Sequence, residues 1–234
     1  MSDNNYGIIS TRFYRVAEWI WRMAYVNILW LGFSLLGLGI FGIFPATVAL
    51  LSVLRKWLTG EPDISIFKQF WSSYKADFLK ANILGYLLGV LGYIIWFNYQ
   101  YLGTVTGTER IFILIGWYVA VVLFILLALF LFPVYVHFKM PLLHYFRTTI
   151  VIAISSPFAL ITLVIALYLA LRLFLFVPGL IPFYSMSVTG WLMMWTSVQA
   201  FRRIDRKRER IENNEYSIKY FWQQIKKNFK SSDD

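Results

Sequence analysis

The sequence predicts an all-α fold, a polytopic integral membrane helix bundle with about five transmembrane helices and amphipathic interfacial helices. Three observations point there. The chain is 59% hydrophobic, 20% aromatic and 15% charged, with a mean hydropathy of +0.61, whereas about a quarter of the residues in a soluble globule are charged. Several segments reach the roughly 20 apolar residues that cross a bilayer's hydrocarbon core. Between them lie stretches whose apolar residues recur at helical spacing. There is no cysteine, which removes disulfide staples and thiolate metal sites. The amino terminus opens polar, "MSDNNYG", and Arg12, Arg15 and Glu18 interrupt its first apolar residues, so no cleavable signal peptide is expected.

Five spans are expected at residues 25–44, 82–101, 111–136, 150–171 and 180–200. The third carries no charge and has Pro133 near its end. The last two are joined by "FVPGLIPF", a Pro/Gly turn that makes them a hairpin. Residues 1–24 read as an amphipathic interfacial helix. Ile9, Phe13, Val16, Ile20 and Met23 form one face, and Arg12, Arg15, Glu18 and Arg22 the other. Packing of this helix against the bundle is the alternative. Residues 25–200 form the bundle, and residues 201–234 a basic tail with Ile218, Phe221, Trp222, Ile225 and Phe229 as an apolar stripe.

One segment needs its own account. "GIFGIFPATVALLSVLRKWLTGEPDISIFKQFWSSYKADF" starts apolar, meets Pro45, and turns basic at Arg55 and Lys56. Proline removes a backbone donor and restricts the residue before it, so the first span is expected to end or kink at Pro45. Residues 46–80 then form an elbow emerging at the cytosolic side. Gly60 and Pro62 close its first helix. In its second, Phe67, Phe70, Trp71, Tyr74 and Phe78 form a stripe among Lys68, Lys75 and Lys80. Arg55, Lys56, Trp57, Phe67, Phe70, Trp71 and Tyr74 are therefore the candidate partner or membrane surface. Arg55 and Lys56 are expected at the headgroups, where a charge avoids the cost of the bilayer centre.

Positive charge sets the orientation. Residues 51–80 hold five Lys/Arg and ten follow Phe201, against Arg110 and Arg172 alone in the outer connections. This places the carboxyl terminus in the cytosol of a multi-pass protein. With five spans the amino-terminal arginines fall outside; if residues 1–23 lie on the cytosolic face instead, one span is replaced by a re-entrant segment. The net charge of +10 suits anionic lipid beside a basic juxtamembrane segment, worth about 1 kcal/mol per charge. Nucleic acid is not the expected partner.

A search for chemistry finds little. Every Asp and Glu falls outside the expected spans, so no buried acid of a proton-driven transporter is visible. Arg172 reads as a snorkelling arginine at a span edge or, functionally, as an anion contact. Pro141 separates His137 from His144, and no carboxylate or cysteine completes a metal site. Ser155-Ser156-Pro157 lies where a span would kink and lacks a Gly-x-Ser-x-Gly frame. No phosphate loop or dinucleotide fingerprint occurs. An enzyme is not expected, and neither is a cofactor. The motifs support packing: Gly85 and Gly89 offer a small-residue face for a bundle neighbour or a second copy of the chain, and Asn27, Asn82 and Asn98 supply amides for bonds between helices.

Asn27 with Leu29-Trp30, the turn Gly42-x-x-Pro45-Ala46-Thr47, the cluster Arg55-Lys56-Trp57 with Gly60-Glu61, and Phe67 through Phe78 together resemble the signature of the YesL-like family of bacterial membrane proteins, a domain of unknown function. The family's usual turn is similar to Gly-x-Gly-Pro-Ala, and Phe44 stands here in place of its second glycine. The resemblance implies a small multi-span protein whose genes often neighbour those for carbohydrate ABC importers. It implies no catalytic residue. The expected function is a non-catalytic accessory or regulatory protein of oligosaccharide import, with importer subunits as partners. The alternative is a small transporter or channel in its own right, with Trp96, Tyr99 and Tyr101 near an outer boundary.

Overall fold

The computed structural model describes the backbone of residues 3–230 and the side chains of residues 14–211; the expected stripe from Ile218 to Phe229 lies outside the described side chains. Within that range the helical periodicity becomes seven α-helices: α1 (Asp3–Leu36), α2 (Ile43–Leu58), α3 (Ile66–Leu102), α4 (Thr108–His137), α5 (Leu142–Ser155), α6 (Pro157–Phe176) and α7 (Ile181–Lys230). Four stretches are long and apolar enough to cross a membrane: Tyr14–Leu36, Ile66–Leu102, Thr108–His137 and Pro157–Phe176. The chain is thus an all-α, multi-pass bundle. The fifth expected span, 180–200, is the amino-terminal stretch of α7. Ser185, Ser187, Thr189 and Gly190 dilute its apolarity, yet Met194, Val198 and Ala200 are buried in the core.

Helices run through the boundaries expected at residues 24 and 201. The amphipathic stripe of α1 and the apolar run after it are in phase, so nothing stops the helix until Leu36. Likewise α7 continues from its core stretch into the basic segment without a break. The expected surface helix after Ser65 and the second span are one helix, α3, of 37 residues and about 55 Å at 1.5 Å per residue. The expected fourth span is broken instead. Ser156 leaves helical geometry (φ −129°, ψ 59°) and Pro157 begins α6 at its first position, where its missing N–H costs nothing.

The break expected at Pro45 falls earlier. Gly39 N–H donates to the Ser34 carbonyl at 2.8 Å and Leu38 N–H to that of Leu35 at 2.9 Å, the paired bonds of a Schellman ending. Leu38 and Gly39 take left-handed φ values of 57° and 73°. The chain then re-enters helix at Ile43, leaving Pro45 in the first turn of α2, where proline is tolerated. A Cβ on Gly42 would overlap the Ser34 carbonyl, and one on Gly37 would overlap Gly42 itself. The glycines let the two limbs touch backbone to backbone.

The first helix of the expected elbow is therefore not a surface helix. α2 folds back along α1 and becomes the centre of the molecule, with Ala46, Val48, Ala49, Leu50, Leu51, Val53 and Leu54 all buried. A helix apolar on every side is stable only when surrounded, and α1, α3, α4 and α7 all pack on it. It ends as its sequence implies, with Gly60 at φ 100° and Glu61 N–H closing on the Lys56 carbonyl at 2.9 Å.

The hairpin also brings Arg22 to the same end of the bundle as the α2–α3 loop. Arg22 donates to the Pro62 carbonyl at 2.7 Å and pairs with Glu18 at 2.6 Å. Both limbs of the α1–α2 hairpin thus open at the end that carries Arg55, Lys56 and Lys68. Arg202 of α7 reaches the Leu58 carbonyl there at 3.3 Å. The hairpin tip meets α3 about halfway along: Asn82 donates to the Phe41 carbonyl and Tyr86 to that of Ile40. Beyond Tyr86, α3 runs on with α4, locked by the Trp117 indole on the Ile95 carbonyl at 2.9 Å.

Candidate functional site

At the basic end α2, α3, the last turn of α4 and the α4–α5 loop enclose a cleft of about 550 Å³. Its polar groups come from four pieces of chain: Ser52 of α2, Asp77 and Lys80 of α3, Tyr135 of α4 with Lys139 beyond it, and Tyr145 of α5. The Tyr135 hydroxyl donates to Asp77 Oδ1 at 2.6 Å, a short bond of the kind made to a charged acceptor. The Tyr145 ring lies tilted against that of Tyr135, 5.0 Å between centroids. Its hydroxyl donates to the Phe138 carbonyl at 3.0 Å and accepts from Met140 N–H at 3.1 Å. That pair of bonds fixes the loop that walls the cleft. Behind it Gln69 donates to Ser52 at 2.7 Å, and Ser73 bonds Ser52 at 2.8 Å, a small polar seam between α2 and α3.

Asp77 lies on the same helix as the second span, α3 (Ile66–Leu102), just before that span's expected start at residue 82, a continuity that was not expected. It was hidden because the sequence divides the helix just after Lys80. The cue was available in "SSYKADF": a lone carboxylate one turn after Tyr74 on an otherwise aromatic and basic helix. Tyr135 and Tyr145 carried no cue, since tyrosines near span ends are common.

The residues singled out from the sequence divide between packing and surface. Asn27 is fully buried. Its Oδ1 accepts from Met186 and Ser187 N–H at 2.8 and 2.9 Å, and its Nδ2 donates to the Pro182 carbonyl at 2.8 Å. One amide so ties α1 to α7. Asn82 bonds the hairpin tip, whereas Asn98 bonds only the Ile94 carbonyl of its own helix. Gly85 lies under the Phe44 ring, so close that a Cβ would overlap it, while Gly89 faces open space. Pro45 and Ala46 are buried in the first turn of α2, and Gly42 makes the turn before it.

Much of the aromatic stripe is not available to a partner. Phe33 of α1 sits among Phe67, Phe70, Trp71 and Tyr74 at ring distances of 6.3, 5.2, 5.4 and 5.1 Å. Phe70 is 0% and Tyr74 7% exposed, whereas Phe67, Trp71 and Phe78 keep an open face. Trp57 is partly buried against the core. Arg55 has a partner within the bundle. It reaches inward to the Val136 carbonyl at 3.2 Å and supports the end of α4, whose last carbonyls need partners. Lys56 pairs with Glu61 at 2.8 Å. The periodicity of the stripe was read correctly as a helix face; what covers that face came from another helix.

The remaining candidates take structural places. His137 packs on Phe201 at 4.4 Å, and no group of three metal-ligating side chains occurs among the described residues. Arg172 is exposed at the far end of α6.

Comparison with known proteins places this architecture. The family described as "Protein of unknown function, DUF624" matches residues 23–99. Uncharacterized protein YteU of Bacillus subtilis (strain 168) is 34% identical over 188 residues, covering 78% of this chain and 82% of its own. The chain belongs to this YesL-like family. Uncharacterized protein YesV of the same organism is 32% identical over 197 residues (84% of this chain, 95% of its own), and Uncharacterized protein YesL 28% over 193 residues (82% and 90%). No solved structure matches the chain. In this YesL-like protein the matched segment holds α1 from Met23, the glycine turn, α2, and α3 to Tyr99. The YesL-like turn carries Phe44 against Gly85, Tyr86 (5.5 Å) and Phe132 (6.0 Å). The ring takes up the room that Gly85 leaves.

Proposed function

We propose that this protein is a non-catalytic accessory or regulatory subunit of carbohydrate import in the bacterial cytoplasmic membrane, docking through its basic, cytosolic end. The observation that carries this reading is the gathering of cations at one end of the bundle. Arg22, Lys56, Lys68, Lys139, Arg202 and Arg203 share it, whereas Arg110 and Arg172 lie at helix ends away from it. Positive charge marks the cytosolic face, so the carboxyl-terminal helix is assigned to the cytosol. The choice of an ABC importer as partner rests on the family's gene setting. A conduit through the bundle is the weaker reading, because its centre is the aliphatic α2.

Affinity purification from native membranes in mild detergent tests it. Importer membrane subunits should co-purify, and replacing Arg202, Arg203 and Arg206 together by glutamine should reduce their recovery about tenfold. A deletion strain should take up oligosaccharide more slowly. Recovery of the protein alone, or only with further copies of itself, beside a fully active importer in the deletion strain, contradicts the proposal.

A further inference from the structure

The geometry points to the cleft around Asp77 as a binding site for a hydroxylated phosphate ester, with Lys80 and Lys139 holding the phosphate and Asp77 the hydroxyl groups. This goes beyond the docking reading and does not depend on it. Two ammonium groups and one carboxylate line a single cleft of about 550 Å³, within the range of small-molecule sites. Neither lysine forms an ion pair with Asp77, and neither has a hydrogen-bond partner among the described residues. Opposite charges that share a cleft without closing on each other leave room for an occupant that meets both.

The carboxylate is held ready. Tyr135 occupies Oδ1, and Oδ2 has no hydrogen bond among the described residues, so it can accept from a ligand hydroxyl. Lysine serves phosphate as a mobile point charge, and both lysines are exposed residues of the lining. Val48, Met140 and Leu142 are among the apolar residues of the lining and suit the glycerol or acyl edge of such an ester. A neutral sugar would leave two cations unanswered, and a bare phosphate would face Asp77 unfavourably. Phosphate and hydroxyls on one ligand satisfy both sets. The same chemistry occurs in the phosphatidylglycerol headgroup and in soluble glycerol phosphate.

The test uses the full chain purified in detergent, with native mass spectrometry reading bound phosphatidylglycerol against phosphatidic acid, which lacks the hydroxylated head. A single saturable phosphatidylglycerol adduct is expected, preferred over phosphatidic acid by about tenfold. Asp77→Asn should abolish the preference while leaving phosphatidic acid bound. Lys80→Gln with Lys139→Gln should lower occupancy of both lipids about tenfold. Should Asp77→Asn fail to fold, Lys139→Gln alone changes only an exposed loop side chain and should still cut occupancy several-fold. Displacement of the adduct by glycerol 1-phosphate supports the site with a soluble ligand; no displacement supports it with the lipid. Equal lipid preference in the wild type, or occupancy unchanged in the lysine variants, overturns the proposal.

Discussion

Replacing Asn27 with leucine should destabilise the detergent-solubilised protein by about 2–4 kcal/mol. The side chain is 0% exposed and makes three bonds to the backbone of α7. Removing it abandons one acceptor and two donor contacts between segments about 155–160 residues apart in sequence. Each buried group left without its partner costs on the order of 1–3 kcal/mol, reduced in a membrane because the unfolded helices also find partners. Asn98→Leu is the matched control. Its amide is exposed and bonds only within α3, so a change within about 0.5 kcal/mol is expected. Thermal survival of the monodisperse fraction, read by size-exclusion chromatography, compares the two. Equal losses would show that Asn27 does not join α1 to α7.

Gly42→Ala should cost about 3 kcal/mol, at the upper end of overpacking effects. The added methyl would collide with the Ser34 carbonyl and with the backbone of Phe33, atoms that cannot rotate away as a side-chain tip can. Relief requires α1 and α2 to part, which would loosen the contact of Phe33 with Phe70 and Tyr74. Gly89→Ala meets nothing within 4 Å and should be neutral or slightly favourable, since alanine suits a helix better than glycine by up to about 1 kcal/mol. The same thermal measurement separates them. A Gly42→Ala protein as stable as Gly89→Ala would contradict the close contact of the two limbs.

The membrane class and the helices were legible because composition and period are local properties. So was the end of α2, where Gly60 and Pro62 stop a helix by their own backbone chemistry. The turn after Leu36 was not. Three glycines and one proline lie within nine residues, and the proline is the stronger breaker by propensity. Yet it sits in the first helical turn, the one place where its missing donor does no harm. Misplacing the break by a few residues then reversed the direction of α2, and the buried centre of the bundle read as an exposed elbow. Pairings between distant segments were beyond local reading altogether. Nothing in the phase of Phe70 and Tyr74 tells whether lipid, a partner or Phe33 covers them. Asp77 became informative only when Tyr135, 58 residues away, was found to donate to it.

The arrangement of α1 and α2 as a hairpin open at one face is the centre of the account, and site-directed cysteine labelling tests it most directly. The chain has no cysteine of its own, so single variants at Arg15, Asp63 and Gly107 report without background. In intact cells an impermeant maleimide should label Gly107→Cys and spare both Arg15→Cys and Asp63→Cys, which should react once the membrane is permeabilised. Labelling of Arg15→Cys in intact cells while Asp63→Cys stays protected would place α1 across the membrane from the α2–α3 loop and contradict the hairpin.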